Sequence, residues 1–410
     1  PPGDGSGGGG VNALAPSPLR AGTGRPQAPL VVMLSAAHPP EDVRVVGKEG
    51  AALAAAGWRV WHLCPQPASG VTARPPAQSR GVFLVPYRRR PGWLGRLLGI
   101  PALARRARAC DAAVLHASEP DSWLAALIAA RGRDTRVVLD VHEHYPSRLD
   151  HRLPRALRPV LAPLARAAIR RACRAMAARA DAVVVAKDGL DEDFRAAPRL
   201  AAVRNYAEPL PLAPRRHAPG PLVLAHLGSL TRSRGSEEML QALALGPPQA
   251  RLRLIGRFAD GSEAEFLALA RLLLLEDRVE RLGWMPQPAA LEALAGADIG
   301  LVLFQPGVEN HRLALPHKLF DCMLAGLPVI APDFATEVAD VVRDSGCGLL
   351  VDTACPRAIA AAVETLRDPA LRARMGAAGR EAALGRYGWA AEAERLTGLY
   401  GRLAPLPGRG

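Results

Sequence analysis

The chain has 410 residues, 49% of them hydrophobic and 22% charged, with 39 Gly, 38 Pro, six Cys and a formal net charge of +13. That length exceeds one ordinary core, so two domains are expected, and the apolar content is enough to fill both. No stretch offers about 18 uninterrupted apolar residues, which argues against a membrane-spanning helix; the cysteines lack C-x-x-C or Cys/His spacing, which argues against structural zinc and for a reducing compartment.

Residues 1–28 are rich in Gly, Pro and Ala and read as a disordered leader. They lack the basic start and long apolar run of a secretory signal, and without an initial Met the true N-terminus is expected upstream. From residue 30 onward, Val- and Leu-rich runs alternate with helical patterns. Strands are expected over 30–35, 58–63, 81–85, 112–116, 135–141 and 182–186, with helices over 43–56, 122–131 and 157–180. Near-continuous apolar strands between helices predict a parallel sheet covered on both faces.

Three polar groups interrupt this first unit. His38-Pro39-Pro40-Glu41-Asp42-Val43-Arg44 follows the first strand, with Asp42 placed to cap the helix behind it. Arg44, unfavourable against the dipole of that first turn, would meet an anionic substrate or pair with Asp42. Residues 88–108 hold seven Arg and residues 152–179 eight, neither with any acid. Residues 1–216 carry 32 Lys/Arg against 17 Asp/Glu (+15), and residues 217–410 carry 20 against 22 (−2). Either the first unit faces an anionic surface or substrate, or the arginines reflect the gene's base composition. Asp140-Val141-His142-Glu143-His144-Tyr145-Pro146 leaves the carboxyl end of a strand, where His142 is placed to meet a sugar hydroxyl or a reacting oxygen. Its two histidines and two carboxylates invite a metal reading; the expectation that alternating residues of an extended segment face opposite ways argues against it, and no metal is expected.

The Pro-dense run 209–221 reads as an interdomain linker, giving a first domain over 29–210, a linker over 211–220 and a second domain over 221–385. The second unit repeats the alternation, with strands expected over 222–227, 252–255, 279–282, 299–304, 327–331 and 348–351. Gly228-Ser229-Leu230-Thr231-Arg232-Ser233-Arg234-Gly235 follows its first strand, bringing backbone close to a ligand at Gly228 and a planar cation for phosphate at Arg234. It is not a dinucleotide fingerprint, since G-x-G-x-x-G is absent. Residues 310–332 (NHRLALPHKLFDCMLAGLPVIAP) read as a loop, a short helix opened at Pro316 and a buried strand. Lys318, in the first turn of that helix, opposes its dipole unless an anion meets it there. Two cations on two strand-to-helix turns suit a bound diphosphate. In doubly wound sheets ligands lie beyond the strand carboxyl ends, so a cleft between two Rossmann-like domains is the expected site.

These segments together resemble the retaining glycosyltransferases of family 4, with the GT-B fold, over most of residues 30–404. LPHKLFDCMLAGLPVIAP resembles the donor-site helix and strand of the subgroup written LPNKLFEYMAAGLPVI; GSLTRSRG resembles the GRL-x-x-x-KG loop; Val203-Arg204-Asn205-Tyr206 resembles the close of the first domain. HPPEDVRV and DVHEHYP resemble two further subgroup motifs, and residues 386–404 resemble a final helix that crosses back onto the first domain. The resemblance implies transfer of a sugar from a nucleotide-diphosphate-sugar with retention at the anomeric carbon, in exopolysaccharide, lipopolysaccharide or other glycoconjugate synthesis. It needs no further cofactor and no metal, since fixed cations take that part. It implies Arg234 and Lys318 on the donor diphosphate, and Asp321 on the ribose. His142 would face the transferred sugar, with residues 254–256 (ending at Gly256) and 283–285 (ending at Met285) near the base. Gly228, Leu315 and Pro316 would line the donor, while His38, Asp42, Arg44 and Glu143 would stand on the acceptor side. Two departures mark this chain: Leu313 stands where the first Glu of E-x7-E would be, and Ser229 where the Arg of GRL would be. Asn310, His311, Arg312 and Arg232 are the nearby polar substitutes. The partners implied are the nucleotide-sugar and a sugar or lipid-linked acceptor, with Trp93, Leu94, Leu97 and Leu98 among arginines suited to an anionic membrane surface on the cytoplasmic face. The first domain's charge also raises nucleic acid, but the 4% aromatic content and absence of a binding module argue against it. A catalytically degenerate partner subunit and a nucleotide-sugar 2-epimerase are the competing readings.

Overall fold

The computed structural model describes residues 27–66, 77–90, 92–152, 157–209 and 211–407. The leader expected over 1–28 lies outside them except for its last two residues, and so does the side chain of Trp93. Runs such as Leu30–Leu34, with every residue buried, have no polar face to give to water and need helices on both sides. They form two separate parallel sheets.

The first sheet holds β1 (Leu30–Leu34), β2 (Arg59–Pro65), β3 (Gln78–Ser79), β4 (Val82–Tyr87), β5 (Val114–Ala117), β6 (Arg136–Val141), β7 (Ala182–Val185) and β8 (Leu200–Ala202). Their order is β3-β4-β2-β1-β5-β6-β7-β8, parallel except for β3, which pairs antiparallel with β4. The second holds β9 (Val223–Leu227), β10 (Arg251–Ile255), β11 (Val279–Gly283), β12 (Ile299–Leu301), β13 (Val329–Pro332) and β14 (Gly348–Val351), in the order β11-β10-β9-β12-β13-β14, all parallel. The strand expected over 299–304 stops at Leu301; residues 302–304 remain buried, and Val302 makes a last bond to the Ile330 carbonyl at 3.0 Å. The short strands β3 and β8 were not expected. The helix expected over 43–56 is π-helical over Val43–Gly50 before an α-helix at Ala51–Ala56, and in the wider coil Arg44, Lys48 and Glu49 are all buried.

Each sheet is sandwiched between apolar clusters. One face of the first sheet is covered by helices Gly92–Ala109, Pro120–Ala130 and Arg158–Ala177. Its other face is covered in part by the final helix, Trp389–Leu403, whose Trp389, Leu396, Leu399 and Tyr400 join Val31, Val45, Leu53 and Val60 in one cluster. The Trp58 indole N–H donates to the Ala404 carbonyl at 2.9 Å, so the C-terminal end of the chain is anchored on the domain that begins it. No helix among the described residues is long and apolar enough to cross a membrane.

Candidate active site

The second domain's part of the site is built on three turns. At the end of β9, Gly228 adopts a φ of +101° and meets Gly256, the residue after β10, whose φ is +153°. A Cβ on Gly256 would lie 1.9 Å from the Gly228 carbonyl oxygen, so only glycine lets the two strand ends close on each other. The third turn opens helix His317–Leu324, with Pro316 in an extended conformation as its cap residue. From that helix Lys318 extends along Gly228, its Nζ 3.0 Å from His226 Nε2. The Ser229 carbonyl accepts from Arg234 at 3.3 Å and stands 3.3 Å from His226 Nε2. Lys318, His226 and Arg234 thus surround one turn. Burial, with the Arg234 charge adding to it, lowers the Lys318 pKa to about 7, and burial with the Lys318 charge pushes His226 well below its ordinary value. Asp321, one helical turn on from Lys318, rises to about 7 because burial outweighs the pull of Lys48 and Lys318.

The first domain's part lies at the carboxyl ends of β1, β5 and β6. Asp42 caps Val43–Gly50 by accepting from the Arg44 and Val45 amides, and binds His38 Nδ1 at 3.0 Å. The loop bearing His38 is shaped by Glu119, whose carboxylate accepts from the Ala36, Ala37 and His38 amides at 2.9, 2.9 and 3.1 Å. Burial alone would lower His38, but the bond to Asp42 and the Glu119 charge raise it to about 9. Its ring packs edge-on against His142 at a centroid separation of 5.0 Å. His142 Nε2 contacts the Asp140 carboxylate and accepts from Arg44 Nε at 3.2 Å. Beneath them Arg44 bridges Asp140 at 3.0 Å and Glu49 at 2.7 Å, and His116 links Glu49 and Asp140 to the Tyr400 hydroxyl on the final helix, 2.7 Å from its Nδ1.

The two parts face each other. Glu143 acts electrostatically on Arg234 across the cleft and pairs with Arg148 at 3.2 Å. Lys48 reaches out of the first domain to the Asn205 side chain at 3.3 Å, the Tyr206 carbonyl and His317 Nδ1 at 3.3 Å. The other nitrogen of His317 contacts the Asn205 amide. Burial, offset by Asp321, lowers Lys48 to about 7. Asn310 accepts from the His144 amide at 2.8 Å and donates to its carbonyl at 3.3 Å, pinning the loop of one domain to the other.

Several expected positions stand differently. Arg44 does not face the cleft as a free cation: it is 5% exposed and committed to Asp140, Glu49, the Val203 carbonyl and His142. Arg232, expected at the donor, is turned to Glu237 and Glu265 at 3.1 and 3.0 Å. Leu315 is buried in the second domain's core, and Met285 packs beside that core. Leu313 packs into the first domain's core, so close to Gly189 that a Cβ there would sit 2.8 Å from its Cδ2. The opposite-face argument against a metal fails, because residues two apart on a strand share a face and Asp140 and His142 do meet. Beneath them Glu49, His116 and Asp140 have ligand atoms within 4.8 Å of one another. Arg44 already places a guanidinium between two of those carboxylates. Sequence reasoning missed His226, Lys48, Glu119 and His317. His226 left one signal, a polar residue inside the apolar run 222–227.

Residues 43–214 match the family described as Glycosyltransferase Family 4, and residues 213–382 match Glycosyl transferases group 1. Two curated relatives match in part. One is an exopolysaccharide phosphotransferase of Streptomyces coelicolor, 33% identical over 195 residues, 45% of this chain and 19% of that protein. The other is a D-inositol 3-phosphate glycosyltransferase of Thermobispora bispora, 30% identical over 219 residues, 50% of this chain and 47% of that protein. The match thus spans at most about half the length of either. Among solved structures, a sucrose-phosphate synthase from Thermosynechococcus elongatus superposes with a TM-score of 0.74 over 92% of this chain and 99% of that one, at 19% identity. HepE of Anabaena, solved with UDP and glucose, gives 0.68 over 91% and 100%, at 17% identity. The two family matches in tandem across residues 43–382, on two facing parallel-sheet domains with a final helix returning to the first, indicate a GT-B glycosyltransferase of the family 4 kind.

Proposed function

We propose that the protein transfers a sugar from a nucleotide-diphosphate-sugar to an acceptor held against the first domain, with retention at the anomeric carbon. One observation carries the reading: Lys318 and Arg234 converge on the Gly228–Ser229 turn, close enough that the Arg234 charge disfavours that of Lys318. A buried ammonium beside a partly buried guanidinium is costly unless an anion joins them. A diphosphate bridging them would restore the full charge of Lys318 and meet the start of helix His317–Leu324, which has no side-chain cap. Breaking the glycosyl–phosphate bond leaves negative charge on the diphosphate, and these fixed groups are positioned to stabilise it as it develops. The sugar would then lie toward His142 and Glu143. That HepE was solved with UDP-glucose supports a nucleotide-sugar as the donor class.

Because the cations are supplied by side chains, transfer is expected to persist in EDTA. The test is transfer assayed across a panel of nucleotide-sugars, with the anomeric configuration of the product read by NMR. Turnover with inversion removes the retaining mechanism; no turnover with any donor favours a non-catalytic partner subunit. The latter reading has one observation of its own: Leu313 occupies the usual carboxylate position and is spent on packing against Gly189.

A further inference from the structure

We propose that a basic cavity on the rim of the first sheet binds a phosphate or diphosphate ester carried by the acceptor. The cavity, about 220 Å³, lies between the end of β4, the loop after β1 and helix Gly92–Ala109. Arg88, Arg89, Arg90, Arg105 and Arg106 line it. A sixth arginine, Arg96, is neutralised by a two-pronged pair with Asp121 at 2.6 and 2.7 Å. Arg89 donates to the Ala36 carbonyl at 2.9 Å, and Arg106 lies over the Tyr87 ring at 5.9 Å, so both are held in place without being neutralised. Arg88, Arg90 and Arg105 have no carboxylate partner among the described residues. Five guanidiniums around one hollow repel one another unless an anion enters, and their planar forks match phosphate oxygens.

Position connects the cavity to the reaction. Ala36, on its wall, is two residues from His38, in the loop that Glu119 fixes. A phosphate in the cavity therefore sits on the same sheet rim as His38 and His142, on the acceptor side and apart from the Lys318–Arg234 turn. The helix that forms the cavity also exposes Leu94, Leu97 and Leu98, at 55, 50 and 58%. Their spacing puts them on one stripe, so the ester has two sources to compare, a water-soluble sugar phosphate and a lipid diphosphate. The role as acceptor subsite rests on the transferase reading; binding of the anion does not.

Titration of the full chain with inorganic pyrophosphate at low ionic strength tests it, on the wild type, R88Q/R105Q and R234Q. Two sites are expected in the wild type. The double variant should weaken one about tenfold or more while keeping the site that R234Q loses; R88K/R105K, which keeps the charge, should regain part of it. A wild-type titration showing only the site lost in R234Q, or a double variant titrating as wild type, overturns the proposal. Glucose 6-phosphate competing for the site assigns the soluble source. Flotation with phosphatidylcholine vesicles carrying farnesyl diphosphate, lost in R88Q/R105Q and absent with plain vesicles, assigns the lipid one; neither response overturns the acceptor role. If the site is found and no nucleotide-sugar turns over, the transferase reading fails while the anion site stands.

Discussion

Arg232 and Arg234 stand two residues apart on one loop, and their surroundings give them different work. Arg232 is exposed and answered by Glu237 and Glu265, an arrangement worth little to either stability or chemistry. Arg234 is partly buried, bonded among the described residues to the Ser229 carbonyl, and shares its turn with Lys318. Arg234→Ala is therefore expected to lower kcat/KM by about 100-fold or more with little change in melting temperature, while Arg232→Ala stays near wild type. Equal losses in the two would remove the diphosphate assignment. Lys318 adds a pH signature. Its pKa near 7 leaves the free ammonium largely deprotonated at pH 8, and an arriving diphosphate favours the protonated form. Binding at pH 8 should thus take up a proton, and affinity should fall as pH rises from 7 to 9. Asp321, on the same helix, and Lys48, in contact with its first residue, are also shifted to about 7, so Asp321→Asn serves as the control. Calorimetry of nucleoside diphosphate binding in buffers of different ionisation enthalpy reads the uptake directly. Lys318→Arg, charged throughout, should abolish it; uptake unchanged in that variant would place the proton elsewhere.

At the scale of elements, the final helix does more than close the fold. Its Tyr400 hydroxyl bonds His116, which meets Glu49 and Asp140, and Asp140 in turn holds His142. Burial opposes charge on His116, but Asp140 and Glu49 raise it to about 9, so the network is charged at neutral pH and intolerant of a missing partner. Tyr400→Phe is expected to cost about 1 kcal/mol of stability and, on the proposed placement of the sugar beside His142, to lower kcat more than it raises KM for donor. A donor KM effect without a kcat effect would show that the helix serves the donor side instead. The same elements show what was legible in the sequence. Fully buried runs such as LVVML alternating with helical patterns point to a parallel sheet covered on both faces, and Lys318 and Arg234 stood out as cations in the first turn of a helix and in the loop after a strand. Strands of two or three residues such as β3 and β8 are too short to form a pattern, and nothing in VRVVGKEG distinguishes a π coil from an α one. His226 was hidden by the apolar run around it. Lys48 and Glu119 were hidden because their partners lie far along the chain, at His317 and at residues 36–38, where local spacing carries no information.

Over the whole molecule, the two domains meet among the described residues through polar contacts and two apolar ones, Leu313 and the Tyr206 ring, which packs on Phe320 and Tyr387. Asn310 grips the His144 backbone from both sides, Lys48 and Asn205 hold His317, Arg204 reaches Glu337 at 3.4 Å, and Leu313 lies on Gly189. Interfaces of this kind permit relative motion, and a transferase gains from opening to admit a donor and closing to exclude water. Asn310 is the contact most easily removed without disturbing either core, because its side chain is only partly buried and its two bonds both cross the cleft. Their loss is worth about 1–2 kcal/mol, enough to move an open-to-closed ratio by about tenfold. Asn310→Ala should therefore show a larger radius of gyration by small-angle scattering without donor, and contract on adding it further than wild type does. Donor KM should rise several-fold with kcat changed less, because closure is taxed before chemistry begins. Identical scattering and KM in the two proteins would mean that this grip is passive and that the closed arrangement rests on the other contacts, among them Leu313, Arg204–Glu337 and the His317 cluster.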